Sequence, residues 1–84
     1  MTEVTMYTTS WCPFCRRAKS LLVSKAARLH EIDVDRVAGG RQEMMERSGR
    51  RTVPQIWIGP HHVGGCDELF ALERAGKLDA LLAG

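Results

Sequence analysis

Two cysteines three positions apart, Cys12-Pro13-Phe14-Cys15, sit where a strand pattern gives way to a helix pattern. Val4 to Thr8 alternates as a half-buried strand does, whereas Phe14, Ala18, Leu21, Leu22 and Ala26 share one face of a 3.6-residue period. Pro13 has no N–H to leave unpaired, so it suits the first helical position. Cys12 is therefore expected at the helix N-cap, where free backbone N–H groups and the positive end of the dipole favour a thiolate. The thiolate is the nucleophile of disulfide exchange. Cys15, one turn further in, is within reach of it. The pair is a candidate dithiol redox centre.

Two close cysteines have other uses. Half a zinc site needs a second pair of ligands at suitable spacing, and the remaining candidates are Cys66, His61, His62 and His30. His61 and His62 are adjacent, so on a strand they point to opposite faces. No metal is expected. A structural bridge is disfavoured because closing so short a loop removes little entropy.

A chain of 84 residues is expected to form one domain, residues 1–84, burying roughly 60–65% of its unfolded surface. No basic stretch followed by an apolar run opens it, and no apolar run approaches the ~20 residues that span a bilayer. Three cysteines without a secretory signal suit a reducing cytoplasm. A net charge of +2 is too weak to argue for nucleic acid. Arg41, Arg47, Arg50 and Arg51 crowd the middle of the chain. They form either a solvated helix face or a cationic rim for a small carboxylate, which arginine matches bidentately.

Beyond the first helix, Leu29 to Val34 is expected as a second strand, giving a right-handed β-α-β unit. Arg41 to Ser48 follows as a short helix stopped by Gly49. Gln55 to Ile58 and His62-Val63 flank Gly59-Pro60 as a hairpin. Asp67 to Ala75 is a further helix, stopped by Gly76, and Leu78, Leu81 and Leu82 make a closing amphipathic turn. This order gives a mixed sheet covered by helices. Ile56, Trp57, Ile58, Leu21, Leu22, Phe70, Met44 and Met45 are the expected core.

Four segments together carry a specific resemblance: Tyr7-Thr8 before the dithiol, Cys12-Pro13-Phe14-Cys15 itself, Thr52-Val53-Pro54-Gln55, and Gly64-Gly65-Cys66-Asp67. In this order and spacing the chain resembles the small bacterial dithiol glutaredoxins over essentially its whole length. The resemblance implies a thioredoxin-like α/β fold, a four-stranded mixed sheet with helices on both faces. It also implies a glutathione-dependent thiol–disulfide oxidoreductase in which Cys12 is the nucleophile and Cys15 resolves mixed disulfides.

Further implications attach residue by residue. Pro54 is cis in the family, and Val53 is expected to pair its backbone with the cysteine of glutathione like an added strand, beside Thr52. The Cys66 and Asp67 N–H groups, at a helix start after Gly65, are expected to take the γ-glutamyl carboxylate, and the Asp67 carboxylate the amino group. Asp67 equally suits a plain helix cap. Cys66 itself is either a small apolar filler or a third oxidisable thiol. Where many relatives carry a lysine three residues before the first cysteine, this chain has Thr9, and Arg41 or Arg51 is the expected substitute. Implied partners are glutathionylated and disulfide-bearing proteins, ribonucleotide reductase among them, with glutathione regenerated by glutathione reductase and the chain acting as a monomer. Two other functions compete. One is a dimer holding an iron–sulfur cluster, against which the rigid Pro13 argues; the other is a donor recharged by a flavoprotein reductase, which Trp11 and Thr9 keep open.

Overall fold

A computed structural model describes residues 1–84. Its elements are β1 (Glu3–Thr8), α1 (Pro13–Ser24), β2 (Arg28–Asp33), α2 (Gly40–Ser48), β3 (Gln55–Ile58), β4 (His61–Gly64), α3 (Cys66–Arg74) and α4 (Leu78–Ala83). The sheet order is β2-β1-β3-β4. β1 runs parallel to β2 and antiparallel to β3, and β3 and β4 form the expected hairpin. This is the mixed four-stranded sheet of a thioredoxin-like fold.

The strand alternation of the sequence divides the core in two. Val4 and Met6 of β1 and Ile56 and Ile58 of β3 face one way, onto Ala18, Leu22, Leu69, Leu78 and Leu82 of α1, α3 and α4. Tyr7 and Trp57, one residue out of phase, face the other way and pack with Val34 and Met44 under α2. Both faces are therefore covered. Arg47 closes the second cluster: its guanidinium lies 4.3 Å from the Trp57 ring centre and donates to the Tyr7 hydroxyl at 2.9 Å.

Three expectations need correction. β2 runs from Arg28 to Asp33, not Leu29 to Val34; Val34 has left the strand but keeps a backbone bond to the Thr8 carbonyl and packs with Tyr7. Phe14 is not in the packed face of α1: it is 54% exposed, and Cys15, Ala18 and Leu22 are buried instead. Ala26 lies outside that helix altogether. α1 ends in a Schellman turn, with Ala27 N–H bonded to the Leu22 carbonyl and Ala26 N–H to that of Val23. Ala26 occupies the left-handed position at φ 56°, which glycine adopts without steric cost. Ala26→Gly is accordingly expected to stabilise the protein by about 0.5–1 kcal/mol, read as a raised urea midpoint with unchanged slope; a lowered midpoint contradicts it.

Candidate active site

The site forms where α1, the loop before β3 and the start of α3 meet. Pro13 opens α1 and Cys12 is its N-cap, with extended backbone. The Cys12 sulfur accepts a hydrogen bond from the Cys15 N–H at 3.1 Å, satisfying one of the donors that a helix start leaves free. The same thiol donates towards the Val53 carbonyl at 3.7 Å. All three cysteines are free thiols. Trp11 and Phe14 flank Cys12 and are largely exposed, at 88% and 54%. Cys12, itself buried, thus lies between two exposed aromatic side chains.

Cys15 lies one turn deeper and is buried. Burial first, then its hydrogen bond with Cys12, pushes its thiol from 9.0 up to about 12. The two sulfurs are therefore chemically unequal, because Cys15 holds its proton and can donate it. This inequality affects stability. A group whose folded value lies above its unfolded one contributes stability that is complete below the unfolded value and is lost as pH rises through the folded one. The reduced protein is expected to lose stability between pH 9 and 12 more steeply than Cys15→Ser, a comparison that urea midpoints across that range decide. Parallel curves contradict it.

A groove of about 280 Å³ runs from Phe14 and Val53, the residue that the Cys12 thiol contacts, to the start of α3. Thr52, Val53 and Pro54 form one side and Gly65, Cys66 and Asp67 the other. The Val53–Pro54 peptide is cis. Gln55, almost wholly buried, fixes the loop: its amide donates to the Thr52 carbonyl at 3.0 Å and hydroxyl at 3.2 Å, and its oxygen pairs with His62 at 2.9 Å. Gly65 is the N-cap of α3, and no side chain caps the N–H groups of Cys66 and Asp67. Those donors, with the dipole behind them, make an anion-binding end to the groove. Cys66 is buried, which pushes its thiol up, and it packs in the core with Leu69 and Ile56.

Six expected residues thus line one groove beside Cys12, but Arg41 and Arg51 do not. Arg41 pairs with Asp35 at 2.9 Å, and Arg51 is exposed outside the groove lining. The lining arginine is Arg50, which reaches Glu68 at 3.2 Å. Glu68 also accepts from the Gly65 N–H at 2.7 Å, and that bond, more than Arg50, holds its carboxyl below the usual range. Gly64 permits this closeness. It has φ +110°, and a Cβ there would stand 2.5 Å from the Glu68 carboxylate. No group of three or more His, Cys, Asp or Glu side chains comes together for a metal ion, and no helix is long and apolar enough to cross a membrane.

A thiol capping the first helix of a thioredoxin-like domain, with a second thiol one turn in and a cis-proline loop opposite, defines the class of dithiol redox proteins. The comparisons narrow that class. The glutaredoxin family model matches residues 4–63. A glutaredoxin of Pseudomonas aeruginosa is 58% identical over 83 residues, 99% of each chain. Glutaredoxin 3 of Escherichia coli K12 is 52% identical over 82 residues, 98% of this chain and 99% of its own. A crystal structure of the buckwheat glutaredoxin–glutathione complex superposes with TM-score 0.89 at 32% identity, covering 98% of this chain and 77% of that one. The chain belongs to the glutaredoxin family, whose members are generally thiol–disulfide oxidoreductases.

Proposed function

We propose that this chain is a glutathione-dependent oxidoreductase that reduces protein disulfides and glutathione mixed disulfides. The observation that carries this reading is the groove joining Cys12, through the Val53 carbonyl, to the uncapped N–H groups at the start of α3. A tripeptide with a cysteine at its centre and a carboxylate at each end matches both features. The buckwheat relative, a complex with glutathione, supports the same ligand. Val53 is assigned the strand-like backbone pairing, Thr52 and Pro54 the wall, Gly65 the close approach, and Cys66 and Asp67 the γ-glutamyl end. The glycyl carboxylate is left to a cation at the rim, Arg50, Arg51 or Arg41.

Cys12 thiolate attacks the glutathionyl sulfur of a mixed disulfide and releases the substrate thiol. A second glutathione then takes the glutathionyl group as glutathione disulfide, which glutathione reductase returns to the thiol. For a protein disulfide, Cys12 forms the mixed disulfide and Cys15 displaces the substrate, leaving a Cys12–Cys15 bridge for two glutathiones to reduce. The potential belongs near the glutaredoxin range of about −200 to −230 mV. Such chemistry suits a monomer in a reducing cytoplasm, serving disulfide-bearing enzymes such as ribonucleotide reductase. Turnover of a glutathionylated peptide with glutathione and glutathione reductase tests the assignment. Turnover only with a flavoprotein reductase of the thioredoxin type overturns it.

A further inference from the structure

A second cavity lies behind the dithiol, separate from the groove that runs to the start of α3. It encloses about 430 Å³ between Cys15, Arg16 and Lys19 of α1, Glu31 and Asp33 of β2, and Arg36 beyond. Its walls are polar and its volume exceeds the roughly 30 Å³ that one water occupies, so water can enter. Cys15 and Lys19 are one helical turn apart on the same face of α1. Glu31 is held opposite them by both of its oxygens: one pairs with Lys19 at 2.9 Å, and the other accepts from the Thr8 hydroxyl at 3.1 Å. The second carboxylate is committed elsewhere. Asp33 accepts from the Asp35 N–H at 3.0 Å and the Ser10 hydroxyl at 3.1 Å, with Arg36 at 3.6 Å. Those bonds hold its carboxyl below the usual range. Arg16 and Arg36 bring only positive charge to these walls, and on the groove side the titratable neighbour of Cys15 is Cys12.

We infer that Glu31 is the positioning residue that receives the Cys15 proton, through water in this cavity, when Cys15 resolves a mixed disulfide on Cys12. The inference rests on the function proposed above. Cys15 holds its proton firmly, and once Cys12 is bonded to substrate, burial still opposes a thiolate there. The negative charge of Glu31 opposes it further. Accepting the proton cancels that charge at the moment the thiolate forms. The Cys15 S–H bond breaks and the proton passes by water to the Glu31 carboxylate. The Cys15 sulfur bonds to the Cys12 sulfur while the Cys12–substrate S–S bond breaks. The electron pair leaves on the substrate sulfur, which takes a proton from solvent. Cys15 is oxidised as it enters the disulfide, Cys12 exchanges one disulfide partner for another at an unchanged oxidation level, and the substrate cysteine is reduced.

The test loads Cys12 with a peptide mixed disulfide and follows release of the peptide thiol by stopped flow from pH 5 to 9. The wild-type rate is expected to hold a plateau through the neutral range, since a carboxylate inside the protein takes the proton. Glu31→Gln is expected to slow release by about tenfold to a hundredfold near pH 7, with a rate that climbs through the whole neutral range because hydroxide must take the proton. Glu31→Asp restores part of the plateau. Lys19→Met keeps the carboxylate but removes the cation that holds it in place, so the release rate is expected to depart from the wild type even if Glu31→Gln fails to fold. Wild-type rates and profiles in both Glu31→Gln and Lys19→Met overturn the relay. Removal of glutathione from a glutathionylated peptide, which needs Cys12 alone, separates the two failures: without it in the wild type, the function itself is wrong.

Discussion

Cys12→Ser is expected to reduce all turnover to background, whereas Cys15→Ser retains most glutathionyl removal and loses reduction of protein disulfides. The division follows from the inequality of the two sulfurs. Only Cys12 caps the first helix, receives the Cys15 N–H and contacts the Val53 carbonyl. A serine there has the same place and no thiolate, and the thiolate is the nucleophile. Neither remaining cysteine can replace it, since burial pushes both thiols up and Cys66 is packed in the core. In the proposed cycle Cys15 enters only when a substrate must be displaced from Cys12 by an internal thiol. With a glutathionylated substrate the displacing thiol is a second glutathione, so Cys15 is dispensable. Steady-state assays of both variants with a glutathionylated peptide and with an insulin-type disulfide decide it. Equal loss in the two variants on the glutathionylated peptide overturns the division.

The sequence displayed what local rules control. Pro13 marked the start of α1, Gly49 stopped α2 in a left-handed turn, and the β-rich run Gln55–Ile58 before Gly59-Pro60 located β3. The division of Ile56 and Ile58 from Trp57 into two clusters, by contrast, emerged only with the two covered faces of the sheet. Phe14 escaped because helical period assigns a face but not how far the underlying sheet extends. At the first turn that face borders the groove. The end of α1 escaped because a left-handed alanine carries no signal where glycine would. Arg50 and Glu68 escaped for another reason. Glu68 caps the Gly65 N–H, but glycine lacks the side chain that completes a capping box, so no recognisable pattern remains. Its partner Arg50 is 18 residues away and becomes a neighbour only through the fold. Glu31 is likewise distant from Cys15 in sequence, and only the parallel pairing of β1 and β2 brings its strand beside α1.

Asp67→Ala is expected to raise KM for a glutathionylated substrate by about tenfold, with kcat little changed. A hydrogen bond to a charged group is worth about 1.5–3 kcal/mol, or roughly ten- to a hundredfold in affinity. The lower end applies because Asp67 is exposed before a ligand covers it. The arginines are ordered by place. Arg50 lines the groove but is shared with Glu68, so Arg50→Ala also loosens the Gly65 turn and should cost more than either neighbour. Arg41→Ala and Arg51→Ala act from exposed positions outside the lining, where ion pairs are weak, and their effects should fade as salt rises. The Asp67 effect should largely persist, since it depends on a directed contact. Thr9 lacks the cation that many relatives place before the dithiol, so Thr9→Lys should lower KM at low salt and lose that gain at high salt. Initial rates at two ionic strengths on these five variants measure every term. An unchanged KM in Asp67→Ala removes the γ-glutamyl contact from the account, and with it the main reason for preferring glutathione over a protein donor as the reductant of this dithiol.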